Sequence, residues 1–207
     1  MIPIPDKHDL AYYAQAAYPG GDAVEVGVFE GEFAAHNLKV WTGNYSMVDS
    51  WSHRADGTID KNDEDINWWV RVYDKAKEAT DFAGERRKMI KGLSVDTAGL
   101  YPDESLDWIF IDAGHDYENV KKDLEAWWPK LKKGGLFSGD DYGVSTQEDS
   151  LHPLSLVRYA NRFGDMALVY KWGTALALNE FCEKYGTDLR LTWMNDQHNE
   201  PAWYIIK

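Results

Sequence analysis

Leu106-Asp107-Trp108-Ile109-Phe110-Ile111-Asp112 and, one helix-length further on, Lys132-Lys133-Gly134-Gly135-Leu136-Phe137-Ser138-Gly139-Asp140-Asp141 decide how this chain folds. Each is a short apolar run ending on acid, the first on Asp112 and the second on the adjacent pair Asp140 and Asp141. If the two are neighbouring parallel strands, these carboxylates converge at one edge of the sheet. That edge is where open α/β sheets bind ligands and where hard cations find oxygen donors.

On either side of these runs, strand-length apolar segments alternate with helix-length amphipathic ones, the pattern of a parallel sheet covered by helices on both faces. The reading is helix over Lys7 to Ala17, strand over Ala23 to Val28, helix from Glu30 to Trp41, and strand over Tyr45 to Val48 ending on Asp49. A polar loop over Ser52 to Asp63 then leads into a helix from Glu64 to Phe82 and a strand from Lys88 to Leu93. Leu106 to Ile111 is the fourth strand, Tyr117 to Leu131 a helix, and Gly135 to Ser138 the fifth strand. Beyond a polar stretch, Gly143 to Pro153, helix is expected over much of Leu154 to Phe163, with a short strand open within Met166 to Trp172, and helix again from Thr174 to Tyr185. Arg190 to Met194 and Ala202 to Ile206 read as two strands forming an antiparallel hairpin at the far edge of the sheet.

The 207 residues suit one domain with a core of its own. Residues 1–20 are expected to form an N-terminal helical lid or cap, and the Pro-containing start would also suit a domain cut from a longer polypeptide. A formal charge of -13 repels a phosphate backbone, which excludes nucleic acid as the expected partner. The lone Cys182, within a helical stretch, supports neither an internal disulfide nor a thiolate metal cluster. No apolar run approaches the ~18 residues needed to span a bilayer. Met1 to Asp6 do not resemble a signal peptide, so a soluble, cytoplasmic protein is expected. Nothing in the sequence fixes the oligomeric state.

After the first strand the chain reads Glu25-Val26-Gly27-Val28-Phe29-Glu30-Gly31, a tight glycine turn leading into a helix. Glycines there let the backbone approach a ligand, and a helix N-terminus offers unpaired N–H groups. The spacing is not the G-x-G-x-x-G of dinucleotide enzymes, and the acidic Glu25 disfavours a pyrophosphate. A ligand carrying an ammonium group and no phosphate fits better. Asp49, 18 residues after Gly31, stands where an acidic side chain can hold ribose hydroxyls, or where it simply caps the Asp49-Ser50 turn.

With these segments in place the chain resembles the class I S-adenosylmethionine-dependent methyltransferases, and within them the metal-dependent small-molecule O-methyltransferases of the macrocin-type sugar, catechol and caffeoyl-CoA groups. The resemblance is carried by Glu25 to Gly31, Val48-Asp49-Ser50-Trp51, Leu106 to Tyr117, Gly134 to Tyr142, Gly173 to Phe181 and the closing Trp203 to Lys207, and so covers most of the chain. It implies a Rossmann-like seven-stranded sheet and S-adenosyl-L-methionine as cofactor. Glu25, Gly27, Gly31, Asp49, Trp51, Ser94 and Asp112 would line the cofactor. In the related sugar enzymes such aspartates hold Mg²⁺, which points to Asp112, Asp140 and Asp141 as metal ligands; close carboxylates repel one another unless a cation joins them. The competing reading has Asp140-Asp141 capping a loop and Asp112 facing water.

His115, three residues after Asp112, is the candidate base, since its imidazole can be neutral at working pH and accept a proton. The alternative is a structural Gly-His-Asp turn with Asp116 as helix N-cap. Ser94 likewise fits either an adenine contact, with Val95 beside the ring, or a helix cap. Most of the ten tryptophans are expected in the core, with Trp51 placed to touch the nucleoside and Trp172 to offer a face to a sugar. The expected activity is metal-assisted O-methylation of a sugar or glycan hydroxyl. The alternatives are a catechol-type O-methyltransferase, a non-enzymatic nucleoside- or carbohydrate-binding module of the same fold, and a nicotinamide dehydrogenase.

Overall fold

Among the described residues, nine strands and six α-helices carry the fold. The computed structural model describes residues 4–52, 67–142, 173–192 and 201–207, and the backbone alone of 157–160 and 166–169. In chain order these are α1 (Asp9–Ala17), β1 (Asp22–Val26), α2 (Glu32–Val40), β2 (Asn44–Asp49), α3 (Trp68–Thr80), β3 (Arg87–Lys91), α4 (Ser94–Ala98), β4 (Leu106–Ile111), α5 (Tyr117–Trp127) and β5 (Leu131–Gly139). They are followed by β6 (Val157–Ala160), β7 (Met166–Val169), α6 (Thr174–Tyr185), β8 (Arg190–Leu191) and β9 (Trp203–Ile206).

Seven strands form one sheet in the order β3-β2-β1-β4-β5-β9-β8. The first five run parallel, and β9 pairs antiparallel with both β5 and β8. The expected adjacency of the fourth and fifth strands holds: Ile111 pairs with Gly139, which brings Asp112 and Asp140 level at one edge.

Strand alternation sorts the core into two layers. Along β4, Trp108 and Phe110 face one side with Tyr45, Met47, Leu38 and Trp41. Ile109 and Ile111 face the other with Val24, Val26, Leu124, Trp127, Phe137 and Phe181. Trp108 is fully buried, and its indole donates to Ser138 Oγ at 3.0 Å, so burying so large a ring leaves no polar atom stranded. Cys182 lies buried on α6.

Several boundaries move by one or two residues and α4 is an added short helix, while the largest departures lie at the junction of α5 with β5 and in β6. The helix expected to run to Leu131 stops at Trp127, where a 3-10 turn over Trp128–Lys130 feeds a β5 longer than expected. Within the segment expected to be helical, Val157–Ala160 is a strand, paired antiparallel with Met166–Val169 as a separate two-stranded sheet. Four residues carry too little period to choose between the two elements, and pairing with a second strand decides it. The loop expected over Ser52 to Asp63, the polar stretch Gly143 to Pro153, and Trp172 and Trp193 lie largely or wholly outside the described residues.

Candidate active site

Three backbone turns leave the carboxyl ends of β1, β2 and β5, and each contains a non-glycine residue with positive φ: Phe29 (52°), Trp51 (38°) and Asp141 (60°). Such conformations are uncommon for residues with a side chain and concentrate where the surroundings enforce them, often at ligand sites.

Asp49 enforces the first two. Its Oδ2 accepts from the amides of Val28 (2.8 Å) and Phe29 (2.9 Å), and its Oδ1 from the amide of Trp51 (2.8 Å). Three of the roughly four acceptor positions of a carboxylate are thereby used. Asp49 first of all locks the glycine turn to the end of β2, with capacity for one more donor. The glycines are needed for close packing as well as for their positive φ. A Cβ on Gly27 would lie 1.9 Å from the Asp112 carbonyl oxygen, and one on Gly31 2.8 Å from Ala76 Cα.

Glu25, expected to line the cofactor, is instead buried between the sheet and α2, 1% exposed, accepting from Tyr45 Oη at 2.6 Å; Asn37 in turn donates to that oxygen at 2.7 Å. Burial pushes its pKa up to about 8, an effect the Tyr45 hydrogen bond only partly offsets. A carboxylate so enclosed prefers to be neutral, and it presents almost no surface to a ligand.

Trp51 departs from expectation in the same way. It is 1% exposed, its indole N–H donating to the Phe29 carbonyl (3.0 Å) and its ring meeting Tyr73 edge-on at 4.9 Å. It wedges the turn from below and shows no face to a nucleoside. Ser94 begins α4, where its Oγ accepts from Trp127 Nε1 at 2.9 Å and also bonds the buried Asp123. Its hydroxyl is thus engaged within the layer of α4 and α5, although Leu93 and Val95 beside it stand 52% and 44% exposed. With Phe29, 51% exposed, they leave apolar surface at the carboxyl edge where a flat ring can lie.

The acidic edge is assembled as the two strand ends require, with one redistribution. Asp112, His115 and Asp141 each offer a ligand atom, all within 4.8 Å of one another. His115 Nδ1 lies 3.2 Å from Asp141 Oδ2. Asp116 caps α5 by accepting from the Asn119 amide at 3.0 Å, so the capping role falls to Asp116 and His115 turns toward the edge. Asp140 is paired with the Lys7 ammonium, 133 residues away in sequence. Burial, then the charges of Asp140 and Asp141, raise the Asp112 pKa to about 7, with Lys7 pulling the other way. Asp112, whose charge is disfavoured by burial and by its acidic neighbours, and the carboxylates beside it suit a hard divalent cation such as Mg²⁺. Lys7 was invisible to sequence reading. In Asp6-Lys7-His8 it is one more charge before a helix, and only the packing of α1 against α2 brings it to the edge.

The sheet order, with its antiparallel last strand and a site across the carboxyl ends of β1, β2, β4 and β5, defines a Rossmann-like methyltransferase fold. Solved structures share it. An O-methyltransferase from Bacillus cereus in complex with SAH matches at a TM-score of 0.62 and 14% identity, over 97% of this chain and 80% of that one. TomG from Streptomyces achromogenes, an O-methyltransferase of tomaymycin synthesis in complex with SAM, matches at 0.63 and 11%, over 97% and 78%. CalS11, a TDP-rhamnose 3′-O-methyltransferase of calicheamicin biosynthesis, matches at 0.56 and 16%, over 96% and 76%. No curated protein matches the chain in sequence. A family model described as a methyltransferase domain matches residues 24–142, more than half the chain, and the chain belongs to that family of S-adenosylmethionine-dependent methyltransferases. Among the described residues no helix is long and apolar enough to cross a membrane.

Proposed function

We propose that this protein transfers the methyl group of S-adenosyl-L-methionine to a hydroxyl of a vicinal diol, with a divalent cation assisting and a sugar or glycan as the acceptor. The carrying observation is that Asp112, His115 and Asp141 gather at the carboxyl edge beside the turn pinned by Asp49. A binding module of the same fold would not need that group.

When bound, S-adenosylmethionine supplies an electrophilic methyl group on a positively charged sulfur, so no acid is needed for the leaving group. The turn of Val28 and Phe29, held by Asp49, and the apolar side chains of Phe29, Leu93 and Val95 supply an edge for its adenosine. Asp112 and Asp141, with Asp140 as a further oxygen donor, would hold a divalent cation, which would supply a Lewis acid for adjacent acceptor hydroxyls.

His115 takes the proton. His115 Nδ1 lies 3.2 Å from Asp141 Oδ2, and with the hydrogen on Nδ1 the imidazole would present the Nε2 lone pair that a general base requires. Positioning the oxygen in line with the methyl carbon supplies much of the rate in such transfers.

Among the described residues Trp41, Trp51, Trp108, Trp127 and Trp203 are fully buried and offer no face to a sugar, and Trp172 lies outside them. Support for a sugar comes from the likeness to CalS11, whose acceptor is a TDP-rhamnose, and from the fit of a diol to paired oxygen ligands. The test is transfer of labelled methyl groups to a panel of nucleotide sugars, free glycans and catechols. Activity is expected with a sugar diol, lost in EDTA and restored by excess Mg²⁺. Full turnover in EDTA would remove the metal, and exclusive use of catechols would replace the acceptor.

A further inference from the structure

Lys7 occupies the acidic edge from outside the methyltransferase-family match, which begins at residue 24. Its ammonium donates to Asp140 Oδ2 in a pair largely withdrawn from water, the side chains 18% and 10% exposed, and it lies 5.6 Å from the Phe33 ring centroid. The segment that delivers it is anchored without its charge. Leu10, Ala11 and Ala14 of α1 are buried, Tyr18 Oη donates to the Gly134 carbonyl at 2.5 Å, and His8 packs edge-on against Phe33 and His36. The helix therefore stays in place whether or not Lys7 is paired, and the pair is a feature of the acidic edge.

We propose that Lys7 is a built-in cation that competes with the divalent metal for Asp140, lowering the affinity of the acidic edge for metal. This rests on the metal-assisted reading above. Asp112, Asp140 and Asp141 all act on Lys7, so it stands within the field of the whole cluster and not of one partner. A divalent ion entering that cluster either displaces the ammonium from Asp140 or sits beside a like charge only a few ångströms away, and both weaken binding. Lys7 thereby divides the edge into the Lys7–Asp140 pair and the Asp112–His115–Asp141 group.

The experiment is calorimetric titration of Mn²⁺, without S-adenosylmethionine or acceptor, into the wild-type chain and into Lys7→Met, Lys7→Gln, Lys7→Arg and Lys7→Met/Asp140→Asn, with circular dichroism to establish that each is folded. Removal of the charge in Lys7→Met or Lys7→Gln is expected to tighten Mn²⁺ binding by about tenfold or more. Lys7→Arg should stay near wild type, and the double variant should fall back to wild-type affinity or below. Binding by Lys7→Met and Lys7→Gln that is unchanged or weaker overturns the proposal alone, as does a gain that persists in the double variant. Absence of Mn²⁺ binding in wild type and both neutral variants overturns the metal-assisted reading and this proposal together.

Discussion

His115 and Glu25 show how one fold sets two titratable groups to different tasks. His115 is partly exposed, with Asp141 Oδ2 3.2 Å from its Nδ1, a setting that suits the proton acceptor proposed above. Replacing it by Ala is expected to lower kcat by roughly 10²- to 10⁴-fold, with the Kd for S-adenosylmethionine changed less than threefold; steady-state kinetics beside calorimetry checks this, and an unchanged kcat would remove it as the base. Glu25 is enclosed and held protonated. Because its folded pKa of about 8 lies above the ordinary carboxylate value, its contribution to stability is full at low pH and is lost as pH rises through about 8. Glu25→Gln, which cannot ionise, should therefore gain about 1–3 kcal/mol relative to wild type between pH 6 and pH 9 in urea denaturation. A difference independent of pH would mean that Glu25 is not titrating in this range.

At the scale of elements, β4 carries the fold. Its alternation sends Trp108 and Phe110 to one layer and Ile109 and Ile111 to the other, and its end delivers Asp112. Trp108, fully buried and meeting Trp41 and Tyr45 edge-on at 5.7 and 5.9 Å, should cost about 3–5 kcal/mol when replaced by Ala, with the loss visible in the denaturation midpoint. The elements were largely legible because strand and helix leave different apolar periods in sequence, and strands ending on acid mark one edge. Val157–Ala160 was not, since four residues carry too little period to exclude a helix. Trp51 was misjudged for a related reason. Sequence places it after β2, but only the Phe29 carbonyl waiting for its N–H and the edge of Tyr73 turn it inward.

Across the whole molecule, contacts between distant segments decide the site. The acids Asp112 and Asp141 could be read from strand order, whereas Lys7 meeting Asp140, and Asp49 meeting three backbone amides, could not. Backbone amides are identical at every position of a sequence, and a lone lysine before a helix reads as solvated. The net charge of -13 adds a long-range consequence: cations are drawn to this molecule generally, so metal affinity should fall as salt rises from 0.05 to about 0.5 M, in keeping with a shortening Debye length, and a titration series in NaCl reads it. The central claim is that the carboxyl edge, organised by Asp49, binds the methyl donor. Its most direct measurement is calorimetric titration of S-adenosyl-L-methionine into the wild-type chain and into Asp49→Ala. One-to-one saturable binding is expected, weakened at least about tenfold in the variant, which loses three hydrogen bonds to a charged acceptor. No binding at millimolar ligand, or equal affinity in the two proteins, would contradict it.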